Sequence, residues 1–568
     1  MNLHEHKEII AISSLLIIVI AITLLLLNID LKMGVYYVRD VYGYLNNALF
    51  FAGLDSGVER LRGLSPFIPM LTSIFFRMGF VSDGTIMIVS SVFYIFSAIG
   101  MYLMLRLRFD ELLSLTGSLI LSTFSINLVW VSKGMLDIPG LCLSIWIIYF
   151  AILSFNKNPR FLYLTASLTV IGFFTRYTVA LVMPVILIQL FILNDPIKFI
   201  KTNIKPIIIS IFIGILTLAI FLGIYHFYNL PMFFLSQTQS ISSSTATGSA
   251  APVQNNLFYY LNNIIIYVSA TNFIPYSLQP GHFSMNSLSW LGGQPTIISY
   301  VFAIICIIGI ALSFKKLFGK ENRKLMEGNN NKYKQILLVI GMAIFLITYT
   351  KISIFASIFL LALLIIVAYK IFNKTEIEHL SLDFIFLSWF LINFIFFTYH
   401  PTKVDRYAIT FTPFLAYLII LSLDLIFERL KSKEYISKIK IIFPIGLLCA
   451  VLICSGYYCL INEPHTFDNQ VTPNIMTASL EEKAVGEWLA KYDPNYESKV
   501  IWADRGGDMS FILKKNIPSL DHISNTSDFS STMIKENVTY FISKDNKTNL
   551  NPYIKLYQNG EVSLYQRK

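Results

Sequence analysis

Charged residues are scarce in this sequence of 568 residues. They make up 14% of the chain, whereas hydrophobic residues make up 55%. Soluble proteins carry about a quarter charged residues, so the composition excludes that class and predicts an integral membrane protein. Most of the basic excess behind the net charge of +10 lies in short loops between apolar runs, so it requires no nucleic-acid partner.

Cysteine is also scarce, and its spacing does not match a metal site. The five cysteines fall within or at the ends of apolar runs, which predicts small core residues: Cys142, Cys306, Cys449, Cys454 and Cys459.

The apolar runs predict about thirteen transmembrane helices. The first run, Ile9 to Ile29, is too long for the core of a signal peptide, so it is predicted to remain as an anchor. The other spans are predicted at 85–105, 112–130, 138–154, 161–175, 178–194, 206–228, 297–314, 336–350, 352–371, 384–399, 407–427 and 441–461. The predicted fold class is therefore mainly α, a polytopic bundle of membrane helices followed by a small α+β domain.

Lysine and arginine predict the orientation of these spans. With a cytoplasmic N-terminus, the predicted inside loops hold twenty-one Lys and Arg residues and the outside loops of the membrane module hold ten. Because cytoplasmic loops are enriched in these residues, the N-terminus is predicted inside the cell and the C-terminal tail outside it. The chain is therefore predicted to be a multi-pass protein of the cell membrane.

Two domains are predicted, a transmembrane module at 1–461 and an extracytoplasmic α+β domain at 462–568. In the second, Ser479-x-x-Glu482 reads as a capping box that opens a helix to Tyr492, and Lys499 to Ala503 reads as a strand. Asn559-Gly560 predicts a hairpin near the end of the chain.

Two outside loops of the membrane module are long. The first, at about 30–84, contains apolar and basic stretches that predict helices at the membrane interface. The second, at about 229–296, has no Asp, Glu, Lys or Arg, and its polar tract from Ser236 to Gln254 is predicted to be mobile. A lid over substrate and a flexible surface loop both fit this tract.

Acids and bases are predicted to share the outer face. Such a set suits transfer from a lipid phosphate, because cations hold the phosphate while a carboxylate takes a proton from the acceptor. For Lys133, Lys351 and Asp55, anchoring at the interface is the favoured interpretation.

Several segments on that face resemble the GT-C glycosyltransferases that use polyprenyl-phosphate sugars, in the branch of protein O-mannosyltransferases and lipid A aminoarabinose transferases. Asp40 lies early in the first outside loop, with Tyr44 and Ala48 after it on an expected helix. The other matching segments are Gly63-Leu64-Ser65-Pro66, Lys133-Gly134-Met135-Leu136-Asp137-Ile138-Pro139, Gly172-Phe173-Phe174-Thr175-Arg176 and Lys403-Val404-Asp405-Arg406-Tyr407.

The resemblance implies transfer of a sugar from a dolichyl or undecaprenyl phosphate to a protein, glycan or lipid acceptor. Asp40 would be the catalytic base or would orient the nucleophile, and Asp137 would be a second acid. Arg176, Lys403 and Arg406 would bind the phosphate or the sugar. Further candidates for substrate binding are Arg39, Tyr44, Arg60, Arg62 and His400.

The sequence also departs from the family's pattern. Many relatives carry a second acid beside the first, but here Val41 follows Asp40, so a divalent cation stays open and is not required. The predicted inside loops lack the Asp-x-Asp motif of nucleotide-sugar enzymes, which disfavours such a donor. A transporter or lipid flippase is the main alternative function, and a noncatalytic scaffold is a third.

Overall fold

The computed structural model describes residues 3–35, 40–54, 65–192, 196–230, 232, 257–268, 297–319, 322, 329–375, 377–400, 403–430, 436–462, 473–519, 529–544 and 550–568. Helices dominate this part of the chain, and a small sheet lies near the C-terminus. The predicted fold class is confirmed.

Each of the predicted spans coincides with a helix or a pair of helices. Along the membrane module these are α1 (Leu3–Met33), α2 (Asp40–Ala52), α3 (Phe67–Arg77), α4 (Asp83–Leu105), α5 (Glu111–Thr123), α6 (Ser125–Trp130), α7 (Asp137–Asn156), α8 (Leu162–Thr175), α9 (Val182–Ile192), α10 (Pro196–Thr202), α11 (Ile204–Phe227), α12 (Tyr259–Asn262), α13 (Ile264–Tyr267), α14 (Ile297–Leu317), α15 (Asn329–Thr348), α16 (Ile354–Phe372), α17 (Leu380–Tyr399), α18 (Thr412–Leu430) and α19 (Ile436–Tyr457). Short 3₁₀ turns at Pro159–Phe161, Tyr177–Leu181 and Asp405–Phe411 precede α8, α9 and α18.

The count of thirteen spans is not confirmed. Among the described residues, nine helices are long and apolar enough to cross a membrane, or ten if the bent pair Tyr177–Ile192 and Pro196–Thr202 is one span. The difference arises because several apolar runs fold as short helices, such as α5 with 13 residues and α8 with 14. A straight crossing needs about 20 residues. The chain is nevertheless a multi-pass membrane protein.

The chain divides into two compact units. Unit 1 comprises Met1–Leu24, Val92–Val131 and Leu136–Asn462, and unit 2 comprises Leu25–Ser91, Ser132–Met135 and Glu463–Lys568. Unit 2 thus joins the first long loop of the membrane module to the C-terminal domain, although these segments are far apart in sequence.

In unit 1, ion pairs tie the ends of helices that are predicted to face the cytoplasm. Arg106, just after α4, pairs with Glu8 at 2.9 Å and with Glu111 at 3.1 Å. Arg108 pairs with Asp383 in the first turn of α17 and donates a hydrogen bond of 2.8 Å to the Tyr417 hydroxyl. A 20-residue helix is about 30 Å long, so these groups lie far from the C-terminal end of α17, where the candidate site is found.

The C-terminal part of unit 2 is an α+β domain. It contains α20 (Pro473–Tyr492), α21 (Gly506–Leu513), α22 (Phe529–Lys535), β1 (Ile501–Ala503), β2 (Tyr540–Ser543), β3 (Tyr553–Asn559) and β4 (Val562–Arg567). The strands form one sheet in the order β1-β2-β4-β3, with β1 parallel to β2 and the other pairs antiparallel. Side chains of α20, α21 and three of the strands form its core: Val485, Leu489, Ile501, Met509, Leu513, Ile542 and Leu564.

The sequence predicted part of this domain correctly. The hairpin is confirmed, since β3 and β4 flank Asn559 and Gly560, and Gly560 has φ of +53°. The predicted strand is confirmed as β1. The capping box at Ser479 is wrong, because the helix begins at Pro473 and Ser479 lies within it. Proline suits the first helical turn, where no backbone N–H is required.

The long loops contain helices where the structure describes them. In the first loop, α2 and α3 confirm the helical prediction for the segments around Tyr44 and Phe67–Arg77. In the second loop, residues 257–268 carry α12 and α13. The polar tract from Ser236 to Gln254, predicted to be mobile, lies outside the described residues.

Candidate active site

The ring of Tyr407 is the centre of a cluster of cations in unit 1. Tyr407 lies in the 3₁₀ segment that leads into α18. The guanidinium carbons of Arg176 and Arg406 lie 5.4 Å and 5.7 Å from its ring centroid, within the range of a cation–π contact. The His400 ring is 5.2 Å away, and Phe397 stacks on Tyr407 at 4.9 Å. We call Arg176, His400, Arg406 and Tyr407 the Tyr407 cluster.

Asp137 forms an ion pair with Arg176. Asp137 is the first residue of α7 and its side chain is 2% exposed. Arg176 follows α8 in an extended conformation, and its Nε donates to the Thr178 hydroxyl at 3.0 Å. A Cβ at Gly140 would lie 3.1 Å from Arg176 Cδ, so the glycine gives the arginine room beside α7. The pair holds the guanidinium against the ring of Tyr407.

A narrow cleft opens next to this ion pair. Its walls come from α7, the Tyr177–Leu181 turn, α9, α17 and the segment before α18. The side chains that carry hydrogen-bonding groups in the cleft are Asp137, Ser144, Arg176, Thr178, Trp389, Asn393 and Thr410. The cleft therefore offers neutral hydroxyl and amide groups beside a charged pair.

Lys403 caps the C-terminal end of α17. Its ammonium donates to the carbonyls of Phe397, Thr398 and His400 at 2.8, 2.6 and 2.8 Å. Burial lowers the pKa of Lys403 to about 8, so it is charged at neutral pH. The last carbonyls of a helix carry its negative partial charge and lack partners within the helix. Lys403 thus satisfies these carbonyls and fixes the position of His400.

Asp405 binds two tyrosines from the long uncharged loop. The buried carboxylate accepts hydrogen bonds from the hydroxyls of Tyr259 and Tyr267 at 2.9 and 2.7 Å. Burial, together with the nearby carboxylate, raises the pKa of Tyr267 well above its ordinary value, so its hydroxyl remains a donor. Through these bonds Asp405 attaches α12 and α13 to the segment that carries Arg406 and Tyr407.

Asp40 is the first residue of α2, in unit 2. Its side chain is exposed, and an acid in the first turn is favoured by the helix dipole. Tyr44, one turn later, is buried at 6% exposure. The helix therefore presents a carboxylate at its N-terminal end while its other side chains are packed.

Part of the sequence matches a known family. Residues 64–225 match the family described as dolichyl-phosphate-mannose-protein mannosyltransferase. This segment is less than a third of the chain; it includes Asp137 and Arg176 but not Asp40 or the residues around Tyr407. No protein of curated function matches the sequence.

The fold matches solved structures along nearly the whole chain. The crystal structure of ArnT from Cupriavidus metallidurans bound to undecaprenyl phosphate aligns with a TM-score of 0.56 and 11% identity, over 97% of this chain and 98% of that one. Its apo state aligns over the same shares with a TM-score of 0.50 and 10% identity. This chain has the GT-C fold. The resemblance to GT-C glycosyltransferases is confirmed, and family and fold together indicate a glycosyltransferase.

The GT-C fold gathers some of the predicted site residues and leaves others apart. Arg176, His400 and Arg406 meet at Tyr407, and Asp137 joins them through Arg176. Lys403 points to backbone carbonyls instead. Arg39, Arg60 and Arg62 lie outside the described residues, as does Asp55. The functional roles of all these residues stay predictions.

Sequence reasoning missed a buried ion pair in unit 2 of this GT-C chain. Lys133, predicted to anchor at the interface, is 4% exposed and pairs with Asp30 at 2.6 Å. Ser132 donates to the same carboxylate. The anchoring interpretation was wrong because Asp30 is fully buried near the end of α1, where the lysine can reach it. The available signal was the position of Asp30, directly after the uncharged run from Ile9 to Ile29.

The described residues do not fit a divalent cation. Nowhere in the described ranges do three or more His, Cys, Asp or Glu residues lie together in a way that could hold a metal ion. Asp137 is engaged by Arg176, and Asp405 accepts two tyrosine hydroxyls. We therefore derive no step through a metal.

Proposed function

We propose that this protein is an integral-membrane glycosyltransferase that takes a hexose or pentose from a polyprenyl-phosphate donor. The sugar is transferred to an acceptor on the outer face of the membrane. The single observation that carries the proposal is the Tyr407 cluster, because it gathers two guanidinium groups and an imidazole near the C-terminal end of α17, and one of them, Arg176, lines a cleft. The GT-C fold, shared with an ArnT structure bound to undecaprenyl phosphate, supports a lipid phosphate as the carrier.

Arg406 and Arg176 are proposed to bind the phosphate of the donor. Guanidinium groups bind phosphate through charge-assisted hydrogen bonds, often two at once. A neutral ring holds both groups without cancelling their charge, whereas Asp137 balances Arg176. We propose that both guanidinium groups contact the donor phosphate, and that Asp137 orients Arg176. Asp137 then acts through the arginine.

The proposed reaction is a displacement at the anomeric carbon of the donor sugar. A nucleophilic oxygen or nitrogen of the acceptor forms the new bond to this carbon, while the bond to the phosphate oxygen breaks. The polyprenyl phosphate leaves with the electron pair, and cations stabilise its charge. Asp40 takes the proton that the acceptor loses. By resemblance to the family, the anomeric configuration inverts.

The first experiment is a transfer assay with purified protein. We expect labelled sugar to pass from polyprenyl-phosphate donors to acceptors in a membrane extract, for at least one sugar of a panel. Asp40→Asn should lower the rate at least 100-fold, since general base catalysis contributes about 10²- to 10⁴-fold. The matched control is Asp83→Asn, which changes the first residue of α4 in the same way and should leave the rate unchanged.

Two results would contradict the proposal in different ways. If the wild type releases no sugar from any donor of the panel, the enzymatic function is wrong, and transport becomes the better hypothesis. If Asp40→Asn transfers sugar as fast as Asp83→Asn, the enzyme stands but Asp40 is not its base. Equal amounts of monodisperse protein for both variants are needed for either conclusion.

A further inference from the structure

The C-terminal domain packs against the helix that begins with Asp40. Within unit 2, the ring of Phe511 on α21 lies 5.9 Å from the ring of Tyr42 on α2. The same ring lies 6.2 Å from Phe76 on α3. Both distances are typical of aromatic pairs, which add about 0.5–1.5 kcal/mol beyond the burial of their area. Phe511 therefore lies between the two helices of the first loop.

A hydrogen bond joins the same elements. The side-chain amide of Asn46 donates to the carbonyl of Gly507 at 2.9 Å, and Asn46 is 2% exposed. Asn46 and Tyr42 are four residues apart, so they occupy one face of α2. Both residues therefore face α21, and the two contacts restrict the position and the rotation of the helix.

The start of α21 lies close against the segment that follows this helix. A Cβ at Gly506 would lie 2.2 Å from the carbonyl oxygen of Ile517, so only glycine fits there. At the other side of α21, Met509 and Leu513 are buried in the core formed with α20 and the sheet. The domain's core, α21 and α2 are thus connected through packed side chains without a gap.

α2 depends on tertiary contacts, which come from α21 and from α3, where Arg77 donates to the carbonyl of Phe51 at 2.5 Å. α2 has 13 residues, and isolated helices of this length are marginal in water. Asp40 is exposed at its N-terminal end, so a rotation or shift of α2 moves the carboxylate directly. A misplacement of about 1 Å in a reacting group can cost about 100-fold in rate.

We propose that the C-terminal domain positions Asp40, and that Phe511 and the Asn46–Gly507 hydrogen bond are the contacts through which it acts. Phe511 is a positioning residue in this scheme and touches no substrate. The inference rests on the proposed function, since it assigns the domain a task in that reaction. In this scheme the C-terminal domain holds α2 in the orientation that the reaction requires.

The test compares Phe511→Ala with Phe511→Leu and with Tyr492→Ala. Tyr492 is a half-exposed aromatic residue of the same domain, and its ring stacks on Trp488 in α20 and not on α2. Each purified full-length variant is measured in three ways: kcat at saturating donor, Kd for polyprenyl phosphate alone, and hydrogen exchange of the backbone amides from Val41 to Ala52.

We expect Phe511→Ala to lower kcat by about 10- to 100-fold while Kd stays within about twofold, and to speed amide exchange in α2. Phe511→Leu should keep kcat and the amide exchange of α2 close to the wild-type values, because leucine fills most of the space between Tyr42 and Phe76. Tyr492→Ala should match the wild type. This split between kcat and Kd separates positioning from general unfolding, which would weaken lipid binding as well.

Unchanged exchange in α2 would overturn the inference, because the domain would then not hold the helix. Faster exchange with an unchanged kcat would also overturn it, since the orientation of α2 would not matter for the reaction. If the wild type shows no transfer at all, the proposed function fails. In that case amide exchange still reports whether Phe511 fixes α2, so the two failures are distinguishable.

Discussion

Tyr407 is an aromatic residue that holds two arginines in the proposed phosphate site. An acidic side chain would hold two arginines firmly, but it would also cancel their charge. An aromatic ring attracts guanidinium groups through its negative face and leaves the net charge intact. Arg406 and Arg176 both lie against the ring of Tyr407, and only Arg176 is seen to pair with an acid, Asp137, among the contacts described above.

The ring of Tyr407, not its hydroxyl, is therefore the critical group. We expect Tyr407→Leu to weaken binding of polyprenyl phosphate about 5- to 30-fold, because two cation–π contacts of about 0.5–1 kcal/mol each are lost. Tyr407→Phe keeps the ring and should bind within about twofold of the wild type. Lipid binding to purified protein measures both. Equal weakening by both variants would mean that the hydroxyl matters instead.

At the residue level, the sequence predicted members of the site better than their contacts. The sequence singles out Asp137, Arg176, His400 and Arg406 because charges near the ends of apolar spans are costly, and the structure brings these four together, whereas their roles stay predictions. The bonds from Tyr259 and Tyr267 to Asp405 could not be read, because they join residues more than 130 positions apart. Nothing local to either partner specifies such a contact.

The elements were predictable wherever an apolar run is long. A run without charges can only satisfy its backbone within a membrane by forming a helix, so every predicted span proved helical. The lengths of the helices were harder to predict, since some apolar runs fold as short helices, such as α8 with 14 residues. The start of α20 was missed for a related reason: a capping pattern marks a helix end only if the preceding residues are not helical, and here they are.

Lys403 stabilises the C-terminal end of α17. Its ammonium satisfies three carbonyls at the end of this helix. We expect Lys403→Met to lower the free energy of unfolding by about 1–3 kcal/mol, because these buried acceptors lose their donor. Thermal unfolding in detergent at neutral pH measures the change. The matched control is Lys351→Met at an exposed lysine, which should change stability by less than about 0.5 kcal/mol.

The same variant tests what Lys403 does for the ligand. If the residue is only a cap, the folded fraction of Lys403→Met should still bind polyprenyl phosphate with nearly wild-type affinity at low temperature. A direct phosphate contact would instead weaken binding without an equivalent loss of stability. The second result would return Lys403 to the role that the family resemblance implies.

For the whole molecule, the asymmetry of charge predicts which membrane face carries the candidate site. The predicted inside loops carry twenty-one basic residues against ten outside, and the latter include Arg176 and Arg406. Two of the ten predicted outer cations, Arg176 and Arg406, meet at Tyr407, so the predicted orientation puts the candidate site on the outer face. The proposed transfer on the outer face depends on this orientation.

Labelling of single cysteines tests the orientation directly. After the five natural cysteines are replaced, Lys157→Cys and Lys555→Cys each introduce one exposed thiol, in a predicted inside loop and in the C-terminal domain. We expect an impermeant thiol reagent to label Lys555→Cys on intact cells stripped of any outer wall or membrane, and Lys157→Cys only after permeabilisation. The positive-inside rule is the physical reason. The reverse pattern would place α20, α21 and the sheet in the cytoplasm, and transfer on the outer face would then be ruled out.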